Sequence, residues 1–397
     1  MPGTRETTPD GQPESEPRSP AATGGNLLSN TALGKTPLAN SAFANSALAN
    51  SALASSAIAN GVEPMLHRAA RMEDALHAFR ERNARRRGLI PTVVPYSGYG
   101  GPGFIRVLCR VLLTKDGERL STEHTHVRGW RSFTSVPIDR VVVDVVVGGT
   151  THHATADRGG VVDARLDVDL EPGWHTVILR TEGSLEAEAR IFVIDPSVRF
   201  GIISDIDDTV MVTALPRPFL AAWNTFVLDE HARRPVPGMA VLYERLRATH
   251  VGCPVIYLST GAWNVAPTLS RFLTRNFYPP GPLLLTDWGP TRDRWFRSGR
   301  EHKEQSLARI ASEFPGMKWL LVGDDGQHDE ELYGGFLRKH PDNVEAVAIR
   351  QLSSSEAVFA GGRSRGEEHE RTTKVPWLYA PDGSGLWDQL VAKGVAE

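Results

Sequence analysis

The chain has 397 residues, 41% hydrophobic and 23% charged, a globular composition for two or three domains that excludes wholesale disorder and a fibrous fold. Lys and Arg number 44 against 47 Asp and Glu, a formal charge of -3, so the basic excess of a nucleic-acid binder is missing and no nucleic-acid partner is expected. Cys109 and Cys253 are the two cysteines, too few for a disulfide scaffold or a Cys-based zinc site. With no apolar run of membrane-spanning length and no signal-like start, a soluble cytoplasmic protein is expected.

Residues 1–62 are rich in Pro, Gly, Ser, Asn and Ala and almost free of aromatic anchors, so a disordered low-complexity tail is expected there. Within it a five-residue repeat places Leu38, Phe43, Leu48, Leu53 and Ile58 at a spacing that fits neither helix nor strand. Residues 63–88 carry an apolar stripe at Met65, Leu66, Ala69, Met72, Leu76 and Phe79, with seven Arg against three acids over Met65–Arg87. That pattern predicts an amphipathic helix. Either it packs on the next domain with a solvated basic end, the reading preferred, or it is drawn to anionic lipid through Arg80, Arg82, Arg85, Arg86 and Arg87.

Residues 89–197 hold short β-branched runs, Phe104–Leu113, Arg140–Val147, Val161–Leu170 and Trp174–Arg180, separated by Gly, Asp and Pro turns. An antiparallel β-sandwich domain is predicted. His152 and His153 are adjacent, so on a strand they point to opposite faces and do not make a metal pair. Over 198–352 the texture changes to apolar runs, Phe200–Ile203, Val255–Leu258, Leu283–Leu285, Trp319–Val322 and Val344–Ile349. Helical spacing fills the gaps at Met239–Thr249, Val265–Asn276, Lys303–Phe314 and Asp329–His340. This alternation predicts an α/β domain, a parallel sheet with helices on both faces. Residues 353–397 read as a polar linker followed by a short helix over Trp377–Val395.

In an open parallel sheet, ligands bind beyond the carboxyl ends of the strands. There the sequence places Ser204-Asp-Ile-Asp-Asp-Thr209, Ser259-Thr-Gly261, and Gly323-Asp-Asp-Gly326 with Asp329 beyond, while Lys303 opens a helix between the last two. Asp205 and Asp207 stand two apart, so an extended chain turns both carboxylates to one side. A phosphate dianion brought to that pair is repelled in a low-dielectric cleft, which calls for a cation; Mg²⁺, hard and carboxylate-bound, suits.

This set resembles the four motifs of the haloacid-dehalogenase superfamily. Asp205, Asp207 and Thr209 match its Asp-x-Asp-x-Thr, Ser259 or Thr260 its second motif, Lys303 its third, and Gly323, Asp324 and Asp329 its fourth. The resemblance implies a Rossmannoid sheet and an aspartyl-phosphate mechanism. In it Asp205 is nucleophile and metal ligand, Asp324 and the Asp207 carbonyl are further ligands, and Asp207 is the acid/base. Ser259 then bonds the phosphoryl oxygens, Lys303 balances their charge, Thr209 and Thr260 add phosphate contacts, and Asp329 either orients Lys303 or supplies an outer contact. His302 beside it reads as a packed or solvent-facing histidine.

Further segments sharpen the likeness: Pro95-Tyr-Ser-Gly-Tyr-Gly100, Leu170-Glu-Pro-Gly-Trp-His175, Tyr257-Leu-Ser-Thr-Gly-Ala-Trp263 and Gly281-Pro-Leu-Leu-Leu285. Together with the motifs they resemble the actin-patch-type phosphatidate phosphatase family, an N-terminal β domain joined to a haloacid-dehalogenase catalytic domain. Gly323-Asp-Asp-Gly326 and Ser259-Thr-Gly-Ala-Trp263 depart from its Gly-Asp-Ser-Gly and Ser-x-Ser-Pro-Trp. The gaps between Asp207 and Ser259 and between Ser259 and Lys303 hold no large cap domain, which leaves the site open to a bulky or membrane-embedded substrate. The first gap carries Phe219, Trp223 and Phe226. The second carries Arg292, Arg294 and Arg297 as candidate headgroup residues, near Trp288, Trp295 and Phe296. The expected function is a Mg²⁺-dependent phosphatase acting on a phosphorylated lipid, with possible peripheral membrane contact. The alternatives are a phosphatase or phosphotransferase for a soluble phosphomonoester, and a catalytically idle protein that binds a partner through its β domain.

Overall fold

A computed structural model of the chain describes residues 75, 78–115, 135–212, 233–286, 292–326, 328–354, 356–357 and 374–397, with backbone alone over 292–298. The tail and repeat expected over 1–62, the first part of the 63–88 helix, and the Phe219, Trp223 and Phe226 segment lie outside the described residues.

Residues 78–86 are helical. Gly88, at φ +78°, follows the helix in the left-handed region, and Ala84 is buried in the core of the domain that follows. Eight strands build that domain: β1 (Ile90–Gly101), β2 (Phe104–Thr114), β3 (Val136–Pro137), β4 (Val142–Val147), β5 (Thr150–Thr155), β6 (Val161–Leu166), β7 (Gly173–Arg180) and β8 (Ala187–Val193). They form one continuous sheet in the order β3-β2-β1-β8-β7-β4-β5, with β6 also on β2. The expectation was two facing antiparallel sheets. Instead β1 and β8 pair in parallel at Gly98–Gly100, and the sheet curls until β5 meets β6. Alternation along a strand reports which face is buried, not whether the strands opposite belong to a second sheet.

β2 is buried on both faces. Its odd side chains, Ile105, Val107, Cys109, Val111 and Leu113, fill the β-domain core. Its even ones, Phe104, Leu108 and Leu112, join the core of the second domain, as the period of two requires.

The second domain consists of β9 (Phe200–Asp205), a small hairpin of β10 (Met211–Val212) and β11 (Arg234–Pro235), α1 (Met239–Thr249), β12 (Val255–Ala262), α2 (Ala266–Arg275), β13 (Leu283–Thr286), α3 (Arg292–Glu313), β14 (Lys318–Asp324), α4 (Asp329–Lys339), β15 (Val344–Arg350), β16 (Trp377–Ala380) and α5 (Gly383–Ala392). Six strands run parallel in the order β13-β12-β9-β14-β15-β16. The chain builds outward from β9 to β13 on one side, then returns to build β14 and β15 on the other. Right-handed crossovers therefore place α1 and α2 on one face and α3 and α4 on the opposite face.

Two elements differ from expectation. Trp377–Ala380 adds a sixth strand before the C-terminal helix, because Trp377 and Leu378 are needed to cover the edge of β15. α3 begins at Arg292, so Lys303 lies inside a 22-residue helix rather than opening one. Its buried face, Lys303, Ser306, Leu307 and Ile310, has the helical period, but the preceding Arg-rich turns carry too few apolar residues to signal it.

The two domains meet around Glu313 at the end of α3. Tyr99 Oη donates to Glu313 Oε2 (2.7 Å), and Arg106 bridges Glu313 Oε1 (2.5 Å) and Asp163 Oδ1 (2.6 Å). At the other end of the junction Tyr96 stacks on Trp263 with ring centroids 4.9 Å apart, and Arg110 bonds Asn264. Arg106→Ala strands Glu313, whose side chain is 6% exposed, as an unpaired buried charge. The expected cost is about 3–5 kcal/mol in denaturant unfolding, largely recovered when Glu313→Gln is added.

Candidate active site

Strand register sets the site. Leu258 pairs with Asp205 and Val322 with Ser204, so Ser259 and Asp324 each stand one register step beyond Asp205 at one edge, while β12 runs on to Ala262. That edge is the switch point where the chain reverses its direction of sheet building, the place where an open parallel sheet forms a crevice. Asp205, Ser259, Lys303, Asp324 and Asp329 are all buried there.

Lys303 Nζ donates to Asp205 Oδ1 (2.6 Å) and to Asp329 Oδ1 (2.9 Å). Asp329 Oδ2 in turn accepts the Asp324 N–H at 3.3 Å. A Cβ on residue 323 would lie 2.6 Å from that oxygen and 2.8 Å from the Tyr333 ring, so Gly323 is what lets α4 bring Asp329 against the strand end. Asp324 Oδ1 accepts from Gly326 N–H (2.6 Å). Ser259 Oγ donates to Asp207 Oδ2 (3.0 Å) and accepts from Gly261 N–H (2.9 Å). Its hydroxyl thus holds Asp207.

Between Asp205 and β10 the chain turns tightly. Asp208 sits at φ +58°, and its N–H donates to Met211 O (2.8 Å). Arg350, at the end of β15, clamps this turn from outside: Nη1 donates to Asp208 O and Nη2 to Glu356 Oε1, each at 2.7 Å. Asp207 Oδ1 and Thr209 Oγ1 are buried with no hydrogen-bond partner among the described residues.

Burial pushes the carboxyl groups of Asp205 and Asp324 well above the ordinary range and raises Asp207 as well; neighbouring carboxylates add to all three. Burial alone would lower the Lys303 ammonium, but Asp205 and Asp329 together raise it and keep it charged. One oxygen each from Asp205, Asp324 and Asp329 lie within 4.8 Å of one another. A buried acidic set of this kind, all hard oxygen donors, fits a hard divalent cation. It brings in Asp329, expected only to orient Lys303 or to supply an outer contact.

The remaining candidates separate. Thr260 is half-buried, and its carbonyl accepts from Thr286 Oγ1 (2.9 Å). The side chains of Arg292, Arg294 and Arg297 lie outside the described residues, while Arg300 behind them is engaged with Glu304 and Glu331. His302 is packed, its imidazole pushed down to about 4 by burial. Cys109 and Cys253 are buried thiols pushed up to about 12, and His153 pairs with Asp144. The sequence reading missed Arg350 and also Arg233, a buried guanidinium whose charge favours ionised Asp207. Each is a lone arginine outside any motif, and only the fold brings it to the loop.

Residues 200–351, the stretch that carries Asp205, Asp207, Ser259, Lys303, Asp324 and Asp329, match the family of the phosphatidate phosphatase APP1 catalytic domain. Over that stretch the chain is similar to the APP1-type catalytic domain. It is 28% identical over 228 residues to phosphatidate phosphatase APP1 of Saccharomyces cerevisiae, covering 56% of this chain and 38% of that protein. It is 25% identical over 154 residues to an uncharacterised protein of Schizosaccharomyces pombe, covering 38% of this chain and 25% of that one. The chain thus spans well under half the length of these relatives. Among solved structures, a carbohydrate acetylesterase from Xanthomonas citri aligns over 77% of this chain and 75% of that one, at 11% identity and a TM-score of 0.27, too low to carry a comparison of folds.

The site has a pH signature. Asp205, Asp207 and Asp324 hold their protons to higher pH when folded than when unfolded. Folding therefore favours the protonated forms: that contribution is complete below the ordinary carboxylate range and is lost as pH rises through the raised folded values. Chelator-treated protein is expected to melt at progressively lower temperature as pH rises above the ordinary carboxylate range. Asp324→Asn should flatten that decline, and a divalent cation should raise the melting temperature of the parent far more than that of the variant.

Proposed function

We propose that the chain is a Mg²⁺-dependent phosphatase of the haloacid-dehalogenase type, hydrolysing phosphatidate or a related lipid phosphate through an aspartyl-phosphate. The observation that carries this reading is the convergence of Asp205, Asp207, Ser259, Lys303 and Asp324 on one strand edge, with Lys303 bonded directly to Asp205. Asp205, Asp324 and the Asp207 carbonyl would hold Mg²⁺, with Asp329 beside them. The ion would screen the phosphate from the carboxylates and polarise a phosphoryl oxygen.

In the first step an Asp205 carboxylate oxygen attacks phosphorus, and the bond to the leaving glyceryl oxygen breaks. Asp207, whose raised carboxyl carries a proton into a partly buried site, gives that proton to the leaving oxygen and releases the alcohol. In the second step Asp207 takes a proton from water as its oxygen attacks phosphorus, the bond to Asp205 breaks, and inorganic phosphate leaves. Ser259 keeps Asp207 aimed through both steps, and Lys303 offsets the charge on the nucleophile and the transferring group. Thr209 and Thr260 supply further phosphoryl contacts, and Arg292, Arg294 and Arg297 at the start of α3 serve the headgroup.

The lipid assignment is supported by the named activity of the yeast relative and by the lack of any long insertion between the motifs. Asp205→Asn is expected to lower kcat at least about 10³-fold with the fold intact by circular dichroism. Phosphate release from mixed micelles of phosphatidate, set against soluble phosphomonoesters and measured with Mg²⁺ or chelator, tests the rest. Equal turnover of soluble esters overturns the lipid reading, and turnover in chelator overturns the role of the ion.

A further inference from the structure

The helix at 78–86 belongs to no part of the catalytic machinery, yet it is held firmly. Ala84 and Leu89 pack into the β-domain core, the Leu89 N–H bonds back to Ala84 O at 3.2 Å, and Gly88 stops the helix just before β1. What it turns outward is chemically uniform. Arg80, Arg82, Arg85, Arg86 and Arg87 are all exposed, and the one acid among them, Glu81, is paired with Arg85 at 2.9 Å. Beside them Phe79 is 59% exposed, one of the largest apolar side chains left in solvent. β1 and β2 add to the patch: Ile90, 36% exposed, begins β1 and pairs with Thr114, and exposed Lys115 follows immediately.

Chain direction shows which side of the molecule this patch occupies. β1 has Tyr99 at Glu313, the end of α3 away from the site, and Tyr96 stacked on Trp263, just past the site end of β12. β2 gives the same sense in reverse, from Arg106 on Glu313 to Arg110 on Asn264. Traced back from Tyr96, β1 continues to Ile90 for about 20 Å, beyond the catalytic strand ends and on the same side as Asp205.

We propose that this basic helix, with Phe79 and Lys115, is a docking surface for an anionic lipid bilayer, which presents the catalytic cleft to its membrane-borne substrate. The arginines take the headgroup phosphates and carboxylates, and the Phe79 ring enters the interface, the division of labour of interfacial helices. A neutral surface offers the arginines nothing, and a soluble anion leaves Phe79 in water. Charge complementarity together with the exposed ring favours a bilayer. The proposal deepens the phosphatase reading by naming where substrate is met, and it rests on that reading for the purpose of the surface alone.

The test uses the full chain and a variant combining Phe79→Ser with Arg80→Gln, Arg82→Gln, Arg86→Gln and Arg87→Gln. Because all five side chains point to solvent, the thermal melt should match the parent. Binding is measured by sedimentation with phosphatidylcholine vesicles, with and without phosphatidylserine, in chelator and without phosphatidate, so that catalysis plays no part. The parent is expected to bind only the anionic vesicles, more weakly as salt rises, and the variant at least about 10-fold more weakly. Turnover should fall on phosphatidate vesicles but stay within about twofold on a water-soluble short-chain phosphate, since no catalytic group is touched. Parent that ignores anionic vesicles, or a variant that binds them equally well, overturns the proposal. Vesicle binding lost in the variant, in a parent that releases no phosphate from any lipid, would sink the phosphatase reading and leave the surface standing.

Discussion

A single ammonium group between carboxylates organises this molecule. Lys303 reaches Asp205 at 2.6 Å and Asp329 at 2.9 Å in a buried pocket, with Asp324 close by. Carboxylates this near one another repel strongly once water is excluded, and one positive charge does not offset all of them. The buried acidic set fits a divalent cation that would add positive charge there. The supporting structure brings these groups together: strands in register at Asp205, α3 delivering Lys303 from its interior, and a glycine at 323 so that α4 can approach.

The β domain is part of this arrangement. β2 shares its two faces between two cores, so the curled sheet and the parallel sheet are packed as one body along that strand. Tyr96 and Arg110 meet Trp263 and Asn264 directly after the strand that carries Ser259. The strand end that holds Asp207 is thus braced from the β domain, while Arg350 on β15 braces the turn after Asp205 from the other side. Rigid support from both sides suits the proposed chemistry, in which one carboxyl gives and then takes back a proton at fixed positions.

How much of this could be read from the sequence varied with the range of the interaction concerned. The strands of the parallel sheet were visible because strands buried on both faces read as continuous apolar runs. The motif residues were visible because they follow those runs directly. Asp329 stands close to Asp324 in the chain, and its tie to Lys303 was expected. Lys303 was found as a residue but misplaced within its helix, because the first turns of α3 lack an apolar stripe. The single curled sheet, with its parallel β1–β8 pair, was not legible, since strand partners far apart in sequence leave no local mark.

Sequence alone determined the chemistry available: which carboxylates and hydroxyl stand at strand ends, at what spacing, and that a lysine follows on a helix, because side-chain period and strand termination are local properties. Tertiary structure decided what those groups do to one another. It bonded Ser259 to Asp207, shared Lys303 between two acids, and brought Arg233 and Arg350 to the turn that follows Asp205. The physical reason is that charge and hydrogen-bond energies depend on separations of a few ångströms across burial, and those separations exist only once distant parts of the chain have packed.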